Sequence, residues 1–190
     1  MRSLTAFPIV PITMVLLLSA SAWGQTHERF AMQGVLEIGG TLSFQQITPV
    51  SNGKTSSSWS YLNLAPSFGV FVIDGLEVGI NPIGVSTMSG AGSTVTQLTF
   101  MGFISYNQMT PPGVIFPFIE GQAGYTAQTS GSTISGFSWA GRAGVKVAAV
   151  KGGLLTFGVM YSQISLSPEG ATERYGEDVL SVATGITVWF

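Results

Sequence analysis

Cysteine is missing from the 190 residues, histidine occurs once, and charged residues make up only 8% of the chain. A chain without cysteine is neither a disulfide-stapled secreted domain nor a thiolate metal protein. With His27 alone, no catalytic constellation can use histidine as proton acceptor and no histidine-rich metal site can form, so neither a metal nor another cofactor is expected. Soluble domains carry roughly 25% charged residues, and a third of that cannot cover a water-facing surface. Long apolar runs are also scarce: beyond about residue 22 no stretch of about 20 apolar residues occurs, which excludes helical membrane spans.

The first residues account for the one apolar run. Arg2, the apolar stretch from Ile9 to Leu18 and the small residues Ala20-Ser21-Ala22 form a secretory signal peptide over residues 1–22, with Ala22-Trp23-Gly24 as a rival cleavage site. Residues 23–190 show no linker and no shift of composition, and read as one domain. With Arg2 removed, six basic residues face nine acidic ones, which offers no footprint for nucleic acid.

The rest of the chain alternates. At its end, Phe190, Val188, Ile186, Thr184, Val182 and Leu180 fall on one side, and Trp189, Thr187, Gly185, Ala183 and Ser181 on the other, the period of a β-strand with one apolar face. The same pattern predicts strands over 30–46, 57–72, 76–88, 93–107, 114–128, 136–150 and 154–166. The terminal strand is the eighth. The connections expected are short turns at Asp74-Gly75, Pro111-Pro112-Gly113 and Lys151-Gly152-Gly153 on one side, and longer loops over 47–57, 89–93, 128–135 and 167–178 on the other. A chain with few charges, no apolar run and eight alternating strands predicts an all-β, eight-stranded antiparallel up-and-down transmembrane barrel, the one membrane-spanning solution that never looks hydrophobic in a long window.

Aromatic girdles are expected at both ends of such a barrel. The threading puts Phe30, Phe71, Tyr106, Phe116, Phe157 and Phe190 at the rim with the short turns, and Phe44, Trp59, Tyr125, Trp139 and Tyr161 at the other; Phe68, Phe100 and Phe103 fit neither. Pro66, Pro82 and Pro117 lie inside strands, where each removes a ladder bond, so bulges or strand ends are expected there.

The terminal Val188-Trp189-Phe190, the segment from Leu62 to Phe71 and the hairpin start Asp74-Gly75-Leu76-Glu77-Val78-Gly79 resemble the small, OmpX-like, eight-stranded outer-membrane barrels of Gram-negative bacteria. That resemblance implies a monomer in contact with outer-membrane lipid and lipopolysaccharide, with short turns and both termini in the periplasm. It also implies biogenesis through periplasmic chaperones and the barrel-assembly machinery, for which a C-terminal aromatic strand carrying Phe190, Val188 and Ile186 is similar to the family's assembly signal.

Parity sends Glu37, Glu77, Glu120, Arg142 and Lys146 to the inner face and no strand charge to the lipid face, where Arg or Lys near the midplane costs about 2–4 kcal/mol. With the fifth connection centred on Gly131, Glu120 and Arg142 face each other across a hairpin and are expected to form a buried ion pair, with Lys146, Glu37 and Glu77 nearby. Two functions stay open. One is a non-enzymatic barrel with a plugged, salt-bridged lumen whose surface loops serve envelope integrity, adhesion or surface interaction. The other is a small passive pore for ions or solutes. A lipid-modifying enzyme fits less well because its histidine is missing where it is needed.

Overall fold

A computed structural model describes residues 30–47, 50–51, 54–55, 59–90, 93–111, 113–130, 132–168 and 175–190. The expected signal segment and His27 lie outside them. Eight long strands form the barrel: β1 (Leu36–Ile47), β2 (Trp59–Ile73), β3 (Leu76–Gly90), β4 (Ser93–Asn107), β5 (Ile115–Ser130), β6 (Ser132–Val150), β7 (Gly153–Pro168) and β8 (Tyr175–Trp189). Each pairs antiparallel with its sequence neighbours, and β8 returns to β1, so the sheet closes on itself. No helix occurs among the described residues. A two-residue hairpin, Val50–Ser51 against Lys54–Thr55, stands outside the barrel ladder in the first connection.

The closing seam runs from Glu37↔Trp189 to Leu42↔Thr184, extended by mutual backbone bonds between Leu36 and Phe190 at 3.2 and 3.0 Å. We call the end with Phe190 and the Asp74-Gly75 and Lys151-Gly152 turns basal, and the opposite end apical.

Alternation sorts the side chains. Outward faces present Leu36, Ile38, Leu42, Leu64, Phe68, Leu98, Phe100, Ile104, Ile119, Val159, Val182 and Ile186, all exposed. Inward faces bury Glu37, Glu77, Ser86, Gln97, Ser105, Glu120, Thr126, Ser138 and Lys146. In water this would be an inside-out protein; a hydrocarbon surround makes each choice favourable, since the outer belt needs no polar partner and the inner groups find one another.

Proline does bend the ladder at one place. Between Asn81 and Gly84 three steps of β3 oppose two of β4, and between Ile80 and Val85 five steps of β3 oppose four of β2. The extra residue falls at Pro82-Ile83, and it explains why alternation in β3 changes phase there. Pro66 lies across from the same irregularity, whereas Pro117 pairs in register with Val145.

Several sequence-based boundaries shift. Residues 30–35 are not strand: Ala31 has φ 64° and Gly34 φ 86°, and the chain turns there instead of extending. Phe30, expected on the lipid face and in a girdle, is fully buried inside the basal mouth, as are Phe71 and Phe116. Tyr106, Phe157 and Phe190 do face outward at that rim, as do Phe44, Tyr125, Trp139 and Tyr161 at the apical one; the Trp59 side chain lies outside the described residues. The loops expected at 89–93 and 128–135 are mostly strand, because their serines and threonines keep pairing: Gly90 faces Ser93, and Ser130 faces Ser132. Connections are therefore not uniformly longer at the apical end.

The last strand begins at Tyr175, earlier than expected, and this carries Asp178 onto the exposed outer face opposite Gln163, beside Tyr161. The lipid-facing parity is thus not free of charge. Asp178 lies about 12 residues above Phe190, roughly 40 Å along the strand and about 30 Å along the membrane normal once the tilt is counted, beyond an apolar band of about 25 Å, where a carboxylate costs little.

Candidate functional site: a stoppered, ion-paired lumen

Four layers fill the barrel from base to apex. The lowest is apolar. Phe30 packs edge-on against Phe71 (5.3 Å between centroids) and Phe116 (4.7 Å), with Ala31, Ala148 and Leu154 completing the cluster and Val35, Val114 and Trp189 around it. Burying a phenyl ring of this kind contributes about 2–3 kcal/mol. The turn that carries it is fastened to the β2–β3 hairpin: Gly75 N–H donates to Ala31 O (2.7 Å), Gly34 N–H to Phe71 O (2.8 Å), Phe71 N–H to Val35 O (3.0 Å) and Gln33 N–H to the Asp74 carboxylate (2.8 Å).

Directly above lies the first charged layer. Lys146 Nζ, 1% exposed, donates to both Glu37 oxygens at 2.7 Å and reaches Glu77 Oε2 at 3.4 Å. Thr187 donates to Glu37 and Asn107 to Glu77, and the ammonium sits 5.3 Å from the Phe30 centroid and 5.7 Å from that of Phe118. β1, β3, β6 and β8 are thereby tied together through the lumen. Gly69 makes the room: a Cβ built there would strike the Glu77 carboxylate. Gly69→Ala is accordingly expected to lower stability by about 1–3 kcal/mol by pushing Glu77 off Lys146, measurable as a shift of the urea unfolding midpoint; an unchanged midpoint would show that the carboxylate has slack.

One turn of alternation higher, Glu120 and Arg142 face each other across β5 and β6 and meet at 2.9 Å. Gln122 donates to the other Glu120 oxygen (2.6 Å), Asn81 donates to Gln122 (3.2 Å), and the guanidinium stacks 5.1 Å from the Phe118 centroid. The five charged residues singled out by parity thus stand in two groups, Lys146 with Glu37 and Glu77, and Arg142 with Glu120. Above them a cavity of about 60 Å³ is lined by Thr41, Tyr61, Asn63, Gln97, Arg142 and Met160, among others. It has room for about four water molecules. Serine and threonine hydroxyls close the apical layer, with Asn63 on Ser86 at 2.7 Å and Ser138 on Thr126 at 2.6 Å.

Phe190, Val188 and Ile186 point the other way, into the outer belt, Phe190 being 71% exposed. The aromatic layer was not anticipated as part of the lumen, although parity contained the signal for most of it: Phe71, Phe103, Phe116 and Phe118 each alternate with outward neighbours. Phe30 had no such signal, since it belongs to no strand.

Among the described residues this arrangement places an aromatic layer and two ion-paired groups across the barrel axis. It is the anatomy of a membrane-integral eight-stranded β-barrel whose small interior is filled by side chains. The same fold is found in bacterial outer-membrane proteins. The chain superposes on the outer membrane protein OprG of Pseudomonas aeruginosa (TM-score 0.51, 15% identity, covering 84% of this chain and 97% of that one) and on Neisserial surface protein A (TM-score 0.56, 11% identity, 83% and 98%). It superposes equally on the N-terminal β-barrel domain of P. aeruginosa OprF (TM-score 0.50, 13% identity, 83% and 98%). No family model and no curated protein matches the sequence.

Proposed function

We propose that the chain is a non-enzymatic integral outer-membrane protein with an occluded lumen, acting through its apical connections in envelope integrity, adhesion or surface interaction. The observation that carries this reading is the combination of a phenyl stopper with two buried ion-paired groups across the lumen. Residues 1–22, or 1–24, direct export and are then removed, and the basal end with both termini faces the periplasm. The barrel is a monomer embedded among outer-membrane lipid and lipopolysaccharide. The one histidine precedes the barrel in sequence, which supports a role without catalysis.

Planar-bilayer recording tests the occlusion. The refolded protein is expected to be silent, and Arg142→Ala to be silent as well because Lys146 and Phe30 still block the base. Steady conductance from the unaltered protein would instead establish the passive pore, the reading that the polar apical cavity favours.

Phe190, with Val188 and Ile186 on the same face, serves as the signal by which periplasmic chaperones and the barrel-assembly machinery receive the chain. Phe190→Ser is expected to reduce the heat-modifiable, membrane-inserted fraction in cells several-fold while leaving refolding in detergent nearly intact. Equal accumulation of the variant in cells would remove that role.

A further inference from the structure

We propose that the Phe30–Gln33 turn is a displaceable gate hinged at Gly34, which shuts the basal end over the Lys146 cluster and, on swinging out, admits water and small cations to the lumen. The inference rests on the occluded-lumen reading and adds how that occlusion is regulated.

Four observations converge on it. The backbone bonds that fasten the turn to the barrel all run to one element, the β2–β3 hairpin: Ala31 O accepts from Gly75 N–H, Gln33 N–H donates to Asp74 and Gly34 N–H to Phe71 O, while Val35 N–H closes the turn on Met32 O. Its grip is strained, because buried Ala31 adopts φ 64°, a left-handed conformation that a residue with a Cβ rarely takes. That strain is relieved when the turn leaves.

A hinge is also in place. Gly34 at φ 86° has open space around it, and the next residues, Val35 and Leu36, are anchored to Phe71 and Phe190. Glycine lets the backbone rotate there without steric cost.

The layer behind the stopper is already suited to water. Phe30 covers Lys146 at 5.3 Å, and beside that ammonium lie Glu37, Glu77, Ser105, Asn107 and Thr187. Once the ring departs, these groups exchange a phenyl face for solvent at little cost. Two carboxyl groups beside one ammonium offer a cation oxygen acceptors in place of its water.

The absence of cysteine gives a clean assay, since Ser105→Cys, fully buried and beside Asn107 and Glu77, introduces the only thiol. Barrels refolded in micelles are exposed to a charged thiol reagent, with Lys151→Cys on the basal surface as the exposed reference. In the otherwise unaltered barrel the buried thiol is expected to react at least tenfold more slowly than the reference. Adding Phe30→Ala should raise its rate about tenfold, and adding Ala31→Gly, which relaxes the left-handed residue in place, should lower it several-fold.

A thiol as reactive in the unaltered barrel as at Lys151→Cys would overturn the occluded lumen itself. Protection that is complete in the unaltered barrel and equally complete in heat-modifiable Phe30→Ala would overturn the gate alone. Where Phe30→Ala does not fold, the glycine variant decides: a slower rate supports a gate under strain, and an unchanged or faster rate refutes it.

Discussion

Lys146→Met is expected to lower the stability of the barrel by about 3–5 kcal/mol, the usual consequence of stripping a buried ion pair of one partner. Glu37 and Glu77 are 6% and 1% exposed, and their other contacts are long hydrogen bonds from Thr187 and Asn107 at 3.4 and 3.3 Å. Without the ammonium, two carboxylates would share a dry site with neither water nor a counter-charge. Urea titration of the refolded protein, followed by tryptophan fluorescence, measures the loss. The triple variant Lys146→Met, Glu37→Gln, Glu77→Gln separates causes: if the penalty comes from uncompensated charge, most of it is recovered, because a neutral layer needs no partner. A loss below about 1 kcal/mol for the single variant would mean that solvent reaches the cluster even with Phe30 in place.

The second large effect lies on the opposite face of the same wall. Val159, exposed in mid-strand on β7 between Ala143 and Val182, is expected to cost about 2–4 kcal/mol when changed to Arg, because it sits near the middle of the apolar belt. Its sequence neighbour Met160 points into the polar cavity, so Met160→Gln should cost much less. The contrast between adjacent residues is the informative measurement, since it reports which face of β7 meets the apolar surround. Equal and small penalties would argue against a hydrocarbon surround.

Much of this architecture is legible in the amino-acid sequence, and the reason is physical. In a membrane barrel each strand must satisfy two solvents at once, so the period of two is enforced along nearly the whole chain. That is why Glu37, Glu77, Glu120, Arg142 and Lys146 could be sent inward by parity, and why counting from Gly131 put Glu120 opposite Arg142. What parity could not show was depth across the lumen. Lys146 reaches Glu37 on β1 and Glu77 on β3, strands it never pairs with, and no alternation rule reports which inward side chains meet over the barrel axis.

Two other features escaped for different reasons. Serine and threonine tracts at 89–93 and 128–135 look like loops by composition, yet they pair above the apolar band, where water replaces lipid and small polar residues suit both faces. Residues 30–35 carry apolar residues at even spacing, which imitates a strand; only the left-handed Ala31 and the positive φ at Gly34 reveal the turn, and neither is encoded in hydrophobicity.

The reach of Lys146 also bears on the order of events during folding. Its bond to Glu37 spans 109 residues, joining β6 to the strand that completes the seam. Contacts so far apart along the chain form late, because a long loop must close before they are rewarded. Until then an open sheet would have to carry a bare ammonium and bare carboxylates across hydrocarbon. Insertion and closure are therefore coupled in time: the sheet crosses the bilayer as it curls shut, and the meeting of β1 with β8 is the step that lets its cargo of charge follow.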